Sequence, residues 1–203
     1  MLEQIISMIT PYECLSCGNE GPLLCTACQK HLPCAADAGA PKDAFAATVY
    51  EGHAEQLVHA LKFERAKAAA DVIAQVMNER LPDCNIDLVA YVPTASTRVR
   101  MRGYDQAAVL ARRLARMRRV PFAPLLARVG QQRQVGQRRA ARLRQLQEAY
   151  RPLRVGLLQH KRVMLVDDVI TTGATLHAAA EVLRQAGADA VLCAAFAAAP
   201  KRP

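Results

Sequence analysis

The strongest chemical pattern in the sequence is a pair of adjacent carboxylates followed by a short hydroxyl-rich loop. Residues 163–166 form a run of four apolar side chains, which is typical of a strand buried on both faces. Asp167 and Asp168 follow, where we expect that strand to end and where ligands of an open α/β sheet bind. The alternative is that both acids only cap a helix, although adjacent buried carboxylates are costly without a partner.

The loop after the carboxylates has the composition of a phosphate site. It consists of Thr171, Thr172, Gly173, Ala174 and Thr175. Glycine lets the backbone approach a ligand closely, and successive N–H groups and threonine hydroxyls can surround a phosphate. A helix beginning near Thr175 would direct its positive end at the same anion. The loop lacks the lysine of a nucleotide-binding P-loop, so phosphate beside carboxylates favours a sugar phosphate as the ligand.

Four cysteines near the N-terminus have the spacing of a metal site. Each C-x2-C pair suits a tight turn that directs two thiolates at one ion, and two such turns complete the tetrahedral S4 coordination of structural zinc. A disulfide or unrelated core thiols are the alternatives. His31 and Cys34 lie close enough to be spare ligands. The predicted zinc ligands are Cys14, Cys17, Cys25 and Cys28.

Basic residues are concentrated in one part of the chain. Its 203 residues carry a formal net charge of +9, yet residues 98–162 contain 18 Lys and Arg against two acids. Such an excess attracts phosphates or nucleic acid, although arginines on a solvated helix are the alternative. Aromatic residues make up only 4% and tryptophan is absent, which disfavours a surface that binds single strands by base stacking.

Composition divides the chain into a metal module, residues 1–36, and a second domain, residues 42–203. In the second domain, apolar runs alternate with stripes at helical spacing, which predicts a mainly parallel sheet flanked by helices. No apolar run approaches the roughly 20 residues of a membrane span, so we expect a cytoplasmic protein without membrane insertion. Strands are predicted at residues 47–51, 86–92, 163–166 and 191–196, with a weak strand at 120–126.

Several of these segments match the motifs of one protein family. Residues 167–175 resemble the phosphoribosyl pyrophosphate (PRPP) motif of type I phosphoribosyltransferases, and a preceding four-cysteine module resembles the ComF group of competence-associated proteins. The group usually has Phe-Asn where this chain has Tyr104-Asp105, and Asp105 would add negative charge near the pyrophosphate loop. Further matching segments are Leu61-Lys62-Phe63, Val92-Pro93, Arg102-Gly103-Tyr104-Asp105-Gln106-Ala107, Gln134-Val135-Gly136, Arg139, Arg142 and Ala149-Tyr150.

The resemblance implies a type I phosphoribosyltransferase fold with a small N-terminal zinc ribbon, binding PRPP together with Mg²⁺. The 5′-phosphate would contact residues 171–175. The ribose hydroxyls would contact Asp167 and Asp168, the catalytic pair, and the pyrophosphate would contact Pro93 and Thr94. Positioning and charge would supply the catalysis. Lys62 is a further cation for PRPP. Arginines expected to contact pyrophosphate or nucleic acid are Arg98, Arg100, Arg102, Arg139 and Arg142.

Two functions are compatible with these features. One is a phosphoribosyltransferase with a role in DNA uptake during natural transformation, although no segment identifies the acceptor and turnover itself is left open. The other is a non-catalytic module on a transferase scaffold that binds single-stranded DNA or a helicase-like competence protein, because fold does not fix function. Both functions hold together if a ligand at Asp167 and Asp168 orders the loop that carries the arginines of residues 98–102 and thereby changes the affinity for DNA.

Overall fold

A computed structural model describes residues 12–35, 44–63, 66–129 and 146–200 of the chain. Strands and helices alternate along most of these residues, as the apolar pattern predicts. A short 3-10 turn, Val155–Leu157, precedes the longest strands. In chain order the elements are α1 Thr26–Gln29, β1 Ala44–Val49, α2 His53–Phe63, α3 Ala66–Arg80, β2 Leu88–Tyr91, α4 Ser96–Arg102, α5 Gln106–Arg118, β3 Leu126–Arg128, β4 Tyr150–Pro152, β5 Arg162–Ile170, α6 Ala174–Gln185 and β6 Ala190–Ala198.

The main sheet contains four parallel strands in the order β1-β6-β5-β2. Helices α2, α3 and α5 contribute to the apolar cluster on one face, whereas α6 and the antiparallel ribbon β3–β4 contribute to the cluster on the other. The central strands β5 and β6 are therefore covered on both faces, which explains their nearly uninterrupted apolar sequences. The expected α/β architecture, a parallel sheet flanked by helices, is confirmed.

Most strand boundaries differ from the sequence prediction, and β2 and β6 differ by one or two residues at each end. Strand β5 continues through both carboxylates to Ile170, because residues 167–170 pair with β6. The weak strand expected at residues 120–126 is wrong: only Phe122 forms a bridge, to Val89, and β3 begins at Leu126. Two prolines in that stretch lack the N–H that a ladder needs. Strand β1 begins three residues before the predicted position.

The four-cysteine segment packs against the same apolar cluster as the helices. Leu23, Leu24 and Leu32 are buried together with Leu57 of α2 and Ile73 of α3. This contact buries apolar surface that a segment of this size could not bury by itself. The N-terminal segment is therefore energetically linked to the helices that cover one face of the sheet.

No helix within residues 12–35, 44–63, 66–129 and 146–200 has the length and hydropathy of a membrane span.

Arg80, the last residue of α3, joins the N-terminal segment to the sheet. Its guanidinium donates hydrogen bonds to the carbonyl oxygens of Gln29 at 3.1 Å, Leu32 at 3.0 Å, Pro33 at 3.3 Å and Ala47 at 3.0 Å. Three of these carbonyls belong to the N-terminal segment and the fourth to β1. The planar fork of arginine donors suits such a set of acceptors. One side chain therefore fixes how the segment meets the sheet.

We expect Arg80→Met to lower the free energy of unfolding by about 2 kcal/mol, because methionine keeps the apolar stem but leaves four carbonyls without their charged donor. Urea denaturation measures the change. The matched control is Arg116→Met, which removes an exposed guanidinium from the last turn of α5 and should leave stability unchanged. Equal stability of Arg80→Met and the wild type would contradict this role.

Candidate functional site

A cavity of about 750 Å³ opens at the carboxyl ends of the parallel strands. It brings together segments that the sequence analysis identified separately: the end of α2, the loop after β2, helix α4, the two aspartates and the loop after β5. Thr172 and Arg100 do not line it. The predicted residues that do line it are Lys62, Pro93, Thr94, Arg98, Arg102, Asp167, Asp168, Thr171, Gly173, Ala174 and Thr175.

The two aspartates have different environments because consecutive side chains of a strand point to opposite faces. Asp168 is only 6% exposed, and its Oδ2 lies 2.8 Å from Nζ of Lys62 on α2. Its Oδ1 accepts the N–H of Val169 at 3.0 Å. Asp167 is half-buried, and its Oδ1 accepts the N–H of Asp168 at 2.8 Å. The ammonium group of Lys62 therefore neutralises one carboxylate of the pair directly.

Asp167 lies in a poorly neutralised position. Burial, followed by the negative charge of Asp168, raises the pKa of the Asp167 carboxyl well above its ordinary value. Lys62 opposes this rise only weakly. On the β4 side, burial raises the pKa of Tyr150, and the Asp167 charge adds to that rise while Arg128 opposes it. The Asp167 carboxyl is thus a site that a bound cation or hydroxyl donor would stabilise.

The loop after β5 has the backbone geometry of an anion site. Gly173 adopts the left-handed conformation, with φ of 74°, and immediately precedes α6. Thr172 Oγ1 accepts the Ala174 N–H at 3.4 Å, a long contact that satisfies this donor only weakly. Because Leu176 and Leu183 of α6 are buried against the sheet, the helix is fixed with its positive N-terminal end at the cavity. Backbone donors and helix dipole therefore both favour an anion at this end of the cavity.

Tyr104 and Arg102 hold the last turn of α2, the turn that carries Lys62. The Tyr104 hydroxyl donates to the Leu61 carbonyl oxygen at 2.7 Å. The Arg102 guanidinium stacks over the Phe63 ring, 4.8 Å from its centroid. Both contacts join residues about 40 positions apart in sequence. They fix the direction in which Lys62 leaves the helix, and with it the contact between Lys62 and Asp168.

Asp105 holds the loop after β2. Its carboxylate accepts the Thr94 N–H at 2.8 Å and the Thr94 hydroxyl at 3.1 Å. The same carboxylate caps α5 by accepting the Ala107 N–H at 3.1 Å. The negative charge expected near the pyrophosphate loop is therefore present, and three donors satisfy it. We call residues 102–106 the bracket, because this segment holds both the end of α2 and the loop after β2.

The predicted arginines fall into two groups. Helix α4 has no buried residue. The residue that follows it, Gly103, caps its C-terminus with a φ of 79°. Arg98 faces the cavity from this helix, whereas Arg100 is exposed outside it. Arg139 and Arg142 lie outside the residues that the structure describes. Of the predicted arginines that the structure describes, Arg98 and Arg102 line the cavity and Arg100 does not.

The sequence analysis did not single out the lining residues Tyr50, Glu55, Arg128, Ala199 and Pro200, and it named Gln106 only as part of a matching motif. Gln106 is buried, and its Oε1 accepts from Arg102 at 2.9 Å, so it belongs to the bracket. Arg128 on β3 donates to the Tyr150 hydroxyl oxygen at 3.3 Å and lies over the same ring. A polar residue in a short apolar strand was the available signal for Arg128. For Tyr50 and Glu55 the sequence holds no such signal, because their position depends on how β1 and α2 meet the sheet.

The four predicted metal ligands form a cluster. Their sulfur atoms all lie within 4.8 Å of one another, and the Sγ atoms of Cys17 and Cys25 are 3.8 Å apart. Tetrahedral zinc with Zn–S bonds of about 2.3 Å separates its sulfurs by about 3.8 Å. Burial opposes ionisation of Cys14, but hydrogen bonds from backbone N–H groups, among them that of Cys25, lower the pKa of its thiol to about 6. Within the described residues, neither predicted spare ligand, His31 or Cys34, belongs to the cluster.

The chain is similar to several solved structures. The glutamine PRPP amidotransferase from B. subtilis complexed with ADP and GMP is 24% identical, with a TM-score of 0.42 over 60% of this chain. The chain spans 25% of the length of that amidotransferase. The adenine phosphoribosyltransferase from Thermoanaerobacter pseudethanolicus is 18% identical, with a TM-score of 0.43 over 67% of this chain and 82% of its own. No curated protein sequence matches the chain.

A family model described as the phosphoribosyl transferase domain matches residues 99–203, just over half of the chain. The match includes the whole bracket, the pair Asp167 and Asp168, and the loop after β5. These are the segments that the structure brings to one cavity. The chain therefore belongs to the phosphoribosyl transferase domain family.

Proposed function

We propose that the protein binds PRPP together with Mg²⁺ and transfers its phosphoribosyl group to an acceptor. The observation that supports this proposal is that the loop after β5, the two aspartates and the loop after β2 all line the same cavity. In this assignment the 5′-phosphate binds the N–H groups and hydroxyls of residues 171–175. The ribose hydroxyls donate to Asp167 and Asp168, and the pyrophosphate lies against Pro93 and Thr94.

The charges of the cavity fit a polyanion. Among the residues that the structure describes, four cationic side chains line it against three acids, and Lys62 already neutralises Asp168. Arg98 and Arg102 stand beside the loop after β2, where the proposed pyrophosphate carries most of the ligand's charge. The cationic lining residues are Lys62, Arg98, Arg102 and Arg128.

Oxygen ligands in the cavity suit Mg²⁺. The Asp167 carboxylate and the Thr171 hydroxyl are hard oxygen donors. Burial, followed by the Asp168 charge, raises the pKa of Asp167, and a bound cation would stabilise its ionised form. Bound Mg²⁺ would supply charge stabilisation to the departing pyrophosphate. The chain itself contributes positioning: the bracket fixes Thr94 and Lys62, and the loop after β5 holds the phosphate end of the ligand. Preorganised donors of this kind stabilise the charge that develops as the bond to C1′ breaks.

The four-cysteine segment supports assignment to the ComF group. A closed S4 site leaves no open position for substrate, so its zinc has a structural role. The combination of this segment with the transferase domain and the sequence Arg102-Gly103-Tyr104-Asp105-Gln106-Ala107 supports a role in DNA uptake during natural transformation. In that role the protein would act in the cytoplasm, with a helicase-like protein as its partner.

A second candidate function is non-catalytic binding of single-stranded DNA. Helix α4 favours it, because the helix buries no side chain and exposes Arg100. Two exposed apolar side chains accompany it: Met101 of this helix is 87% exposed, and Phe63 at the end of α2, under Arg102, is 61% exposed. Arginine contacts with phosphates would give affinity with little dependence on base sequence.

We predict that Asp167→Asn binds PRPP more weakly than the wild type and unfolds at a higher temperature. The ligand loses an anionic partner, while the fold loses a carboxyl whose pKa burial has raised. A carboxyl with a raised pKa in the folded state destabilises the fold above its unfolded pKa, near 4, and has no such effect when both states are protonated. The gain in stability should therefore be present at pH 7 and absent near pH 3. Calorimetric titration with PRPP and Mg²⁺ measures the affinity, and thermal unfolding at both pH values measures the stability.

The matched control is Asp83→Asn, which removes an exposed carboxylate remote from the cavity lining. It should change neither PRPP affinity nor the pH dependence of unfolding. Undiminished PRPP binding by Asp167→Asn would remove the basis for the ribose assignment.

We predict one zinc ion per chain in the purified protein, measured by elemental mass spectrometry. Cys25→Ser should lose the metal and unfold at a lower temperature, because the cysteine segment shares an apolar cluster with α2 and α3. Cys34→Ser is the control, since the exposed Cys34 lies outside the cluster. Zinc retained at full occupancy by Cys25→Ser would argue against the S4 site.

If the protein binds single-stranded DNA, Arg100→Gln should weaken that binding for all base sequences. The slope of log affinity against log salt concentration should become shallower by about one. PRPP binding should be unchanged, because Arg100 does not line the cavity. Lys161→Gln, an exposed change at the opposite end of β5, is the control for total charge. Fluorescence anisotropy at several salt concentrations measures the slope. A flat salt dependence of the wild type would eliminate this candidate.

A further inference from the structure

The order of the strands gives the cavity two distinct ends. Strand β2 lies at one edge of the sheet, and the loop that follows it carries Thr94 and leads to Arg98. Strand β1 lies at the other edge, next to β6. The chain that follows β1 places Tyr50 and Glu55 in the cavity wall, and the chain that follows β6 adds Pro200. Strand β5, with the two aspartates and the phosphate loop, stands between these two ends.

The lining charges differ in sign between the two ends. Lys62 and Asp168 pair with each other in the middle. Arg98 at the β2 end and Glu55 at the β1 end form no ion pair with any other residue that the structure describes. Glu55 and Lys62 lie seven residues apart on α2, which places both on one face of that helix. The separation between the acidic end and the central pair is therefore fixed by a rigid element.

Displacement at a sugar carbon constrains where an acceptor can stand. If pyrophosphate leaves from C1′ toward Thr94 and Arg98, the nucleophile approaches the opposite face of the ribose ring, as in an inverting displacement. In this assignment β5, with the proposed ribose and phosphate sites, lies between β2 and β6, so a nucleophile opposite the departing pyrophosphate would approach from the β6 and β1 end. On the proposed function, the acceptor therefore meets Glu55.

We propose that the acceptor is a small primary amine whose nitrogen binds at Glu55. This inference rests on the proposed function and identifies the substrate class of the same site. The nitrogen lone pair forms the new bond to C1′ while the bond from C1′ to the pyrophosphate oxygen breaks, and pyrophosphate leaves with that electron pair. The nitrogen then carries an extra proton and a positive charge, and the Glu55 carboxylate accepts the proton.

Glu55 favours an amine over a flat heterocycle for two reasons. The positive charge that an attacking amine acquires is localised on its nitrogen, where one carboxylate stabilises it, whereas a heterocycle spreads that charge over its ring. Among the described lining residues at this end, Tyr50 is the single aromatic side chain, so no pair of rings is available to hold a nucleobase. The exposure of Glu55 on the first turn of α2 also leaves its carboxylate accessible to a ligand that enters from solvent.

The test measures pyrophosphate release from PRPP and Mg²⁺ by the full chain, with ammonium, ethanolamine, putrescine or adenine as acceptor. We expect at least one amine, and not adenine, to accelerate release by the wild type. Glu55→Gln should lower the amine-dependent rate by about tenfold or more, because glutamine keeps the shape of the side chain but cannot accept the proton. PRPP affinity of this variant, measured by calorimetry, should match that of the wild type.

The matched control is Glu51→Gln, an exposed glutamate just before α2 that does not line the cavity. It should release pyrophosphate at the wild-type rate. The inference is overturned if wild-type protein with bound PRPP responds to no amine, if adenine drives release, or if Glu55→Gln retains the full amine-dependent rate. Failure of the wild type to bind PRPP is a separate result that overturns the proposed function itself and this inference with it.

Discussion

The ion pair between Lys62 and Asp168 is the constraint on which the geometry of the cavity depends. Asp168 is 6% exposed, and a carboxylate removed from water to this extent needs a fixed cation. The cation comes from α2, so the end of that helix has to stay at the carboxyl end of β5. Tyr104 and Arg102 hold it there through the Leu61 carbonyl and the Phe63 ring. The packing of α2 on the sheet therefore also determines where the Lys62–Asp168 pair lies in the cavity.

The same short segment also fixes the neighbouring loop, because Asp105 binds the backbone and hydroxyl of Thr94 while it caps α5. Every member of the bracket therefore has a partner before any ligand arrives. Asp167 differs from its neighbour Asp168, since burial and the Asp168 charge raise the pKa of Asp167 and Lys62 opposes this rise only weakly. The Lys62–Asp168 ion pair is thus satisfied within the protein, whereas Asp167 keeps unfavourable electrostatics that a ligand can relieve, an arrangement typical of binding sites.

The sequence predicted what depends on local pattern. Residues 163–166 and the apolar stripes indicated the parallel sheet with its helices, and the four cysteines indicated their own cluster. It did not predict contacts that depend on how distant elements meet: the 43-residue separation between Tyr104 and Leu61, or the position of Glu55 in the cavity wall. The extension of β5 through Asp167 and Asp168 was missed for the same reason, because pairing with β6 and not local composition keeps those residues extended. Composition alone also gave no means of separating the roles of the two aspartates, which follow from the alternation of side chains along the strand.

On the proposed function, the loop after β5 and the loop after β2 bind the two phosphate ends of one PRPP molecule. A crystal structure of the protein with PRPP and Mg²⁺ would locate both ends. We expect the 5′-phosphate within residues 171–175, the ribose at Asp167 and Asp168, and the pyrophosphate beside Thr94 with Arg98 close to it. PRPP bound elsewhere, or bound in this cavity with its two ends reversed, would show that the proposed function is wrong.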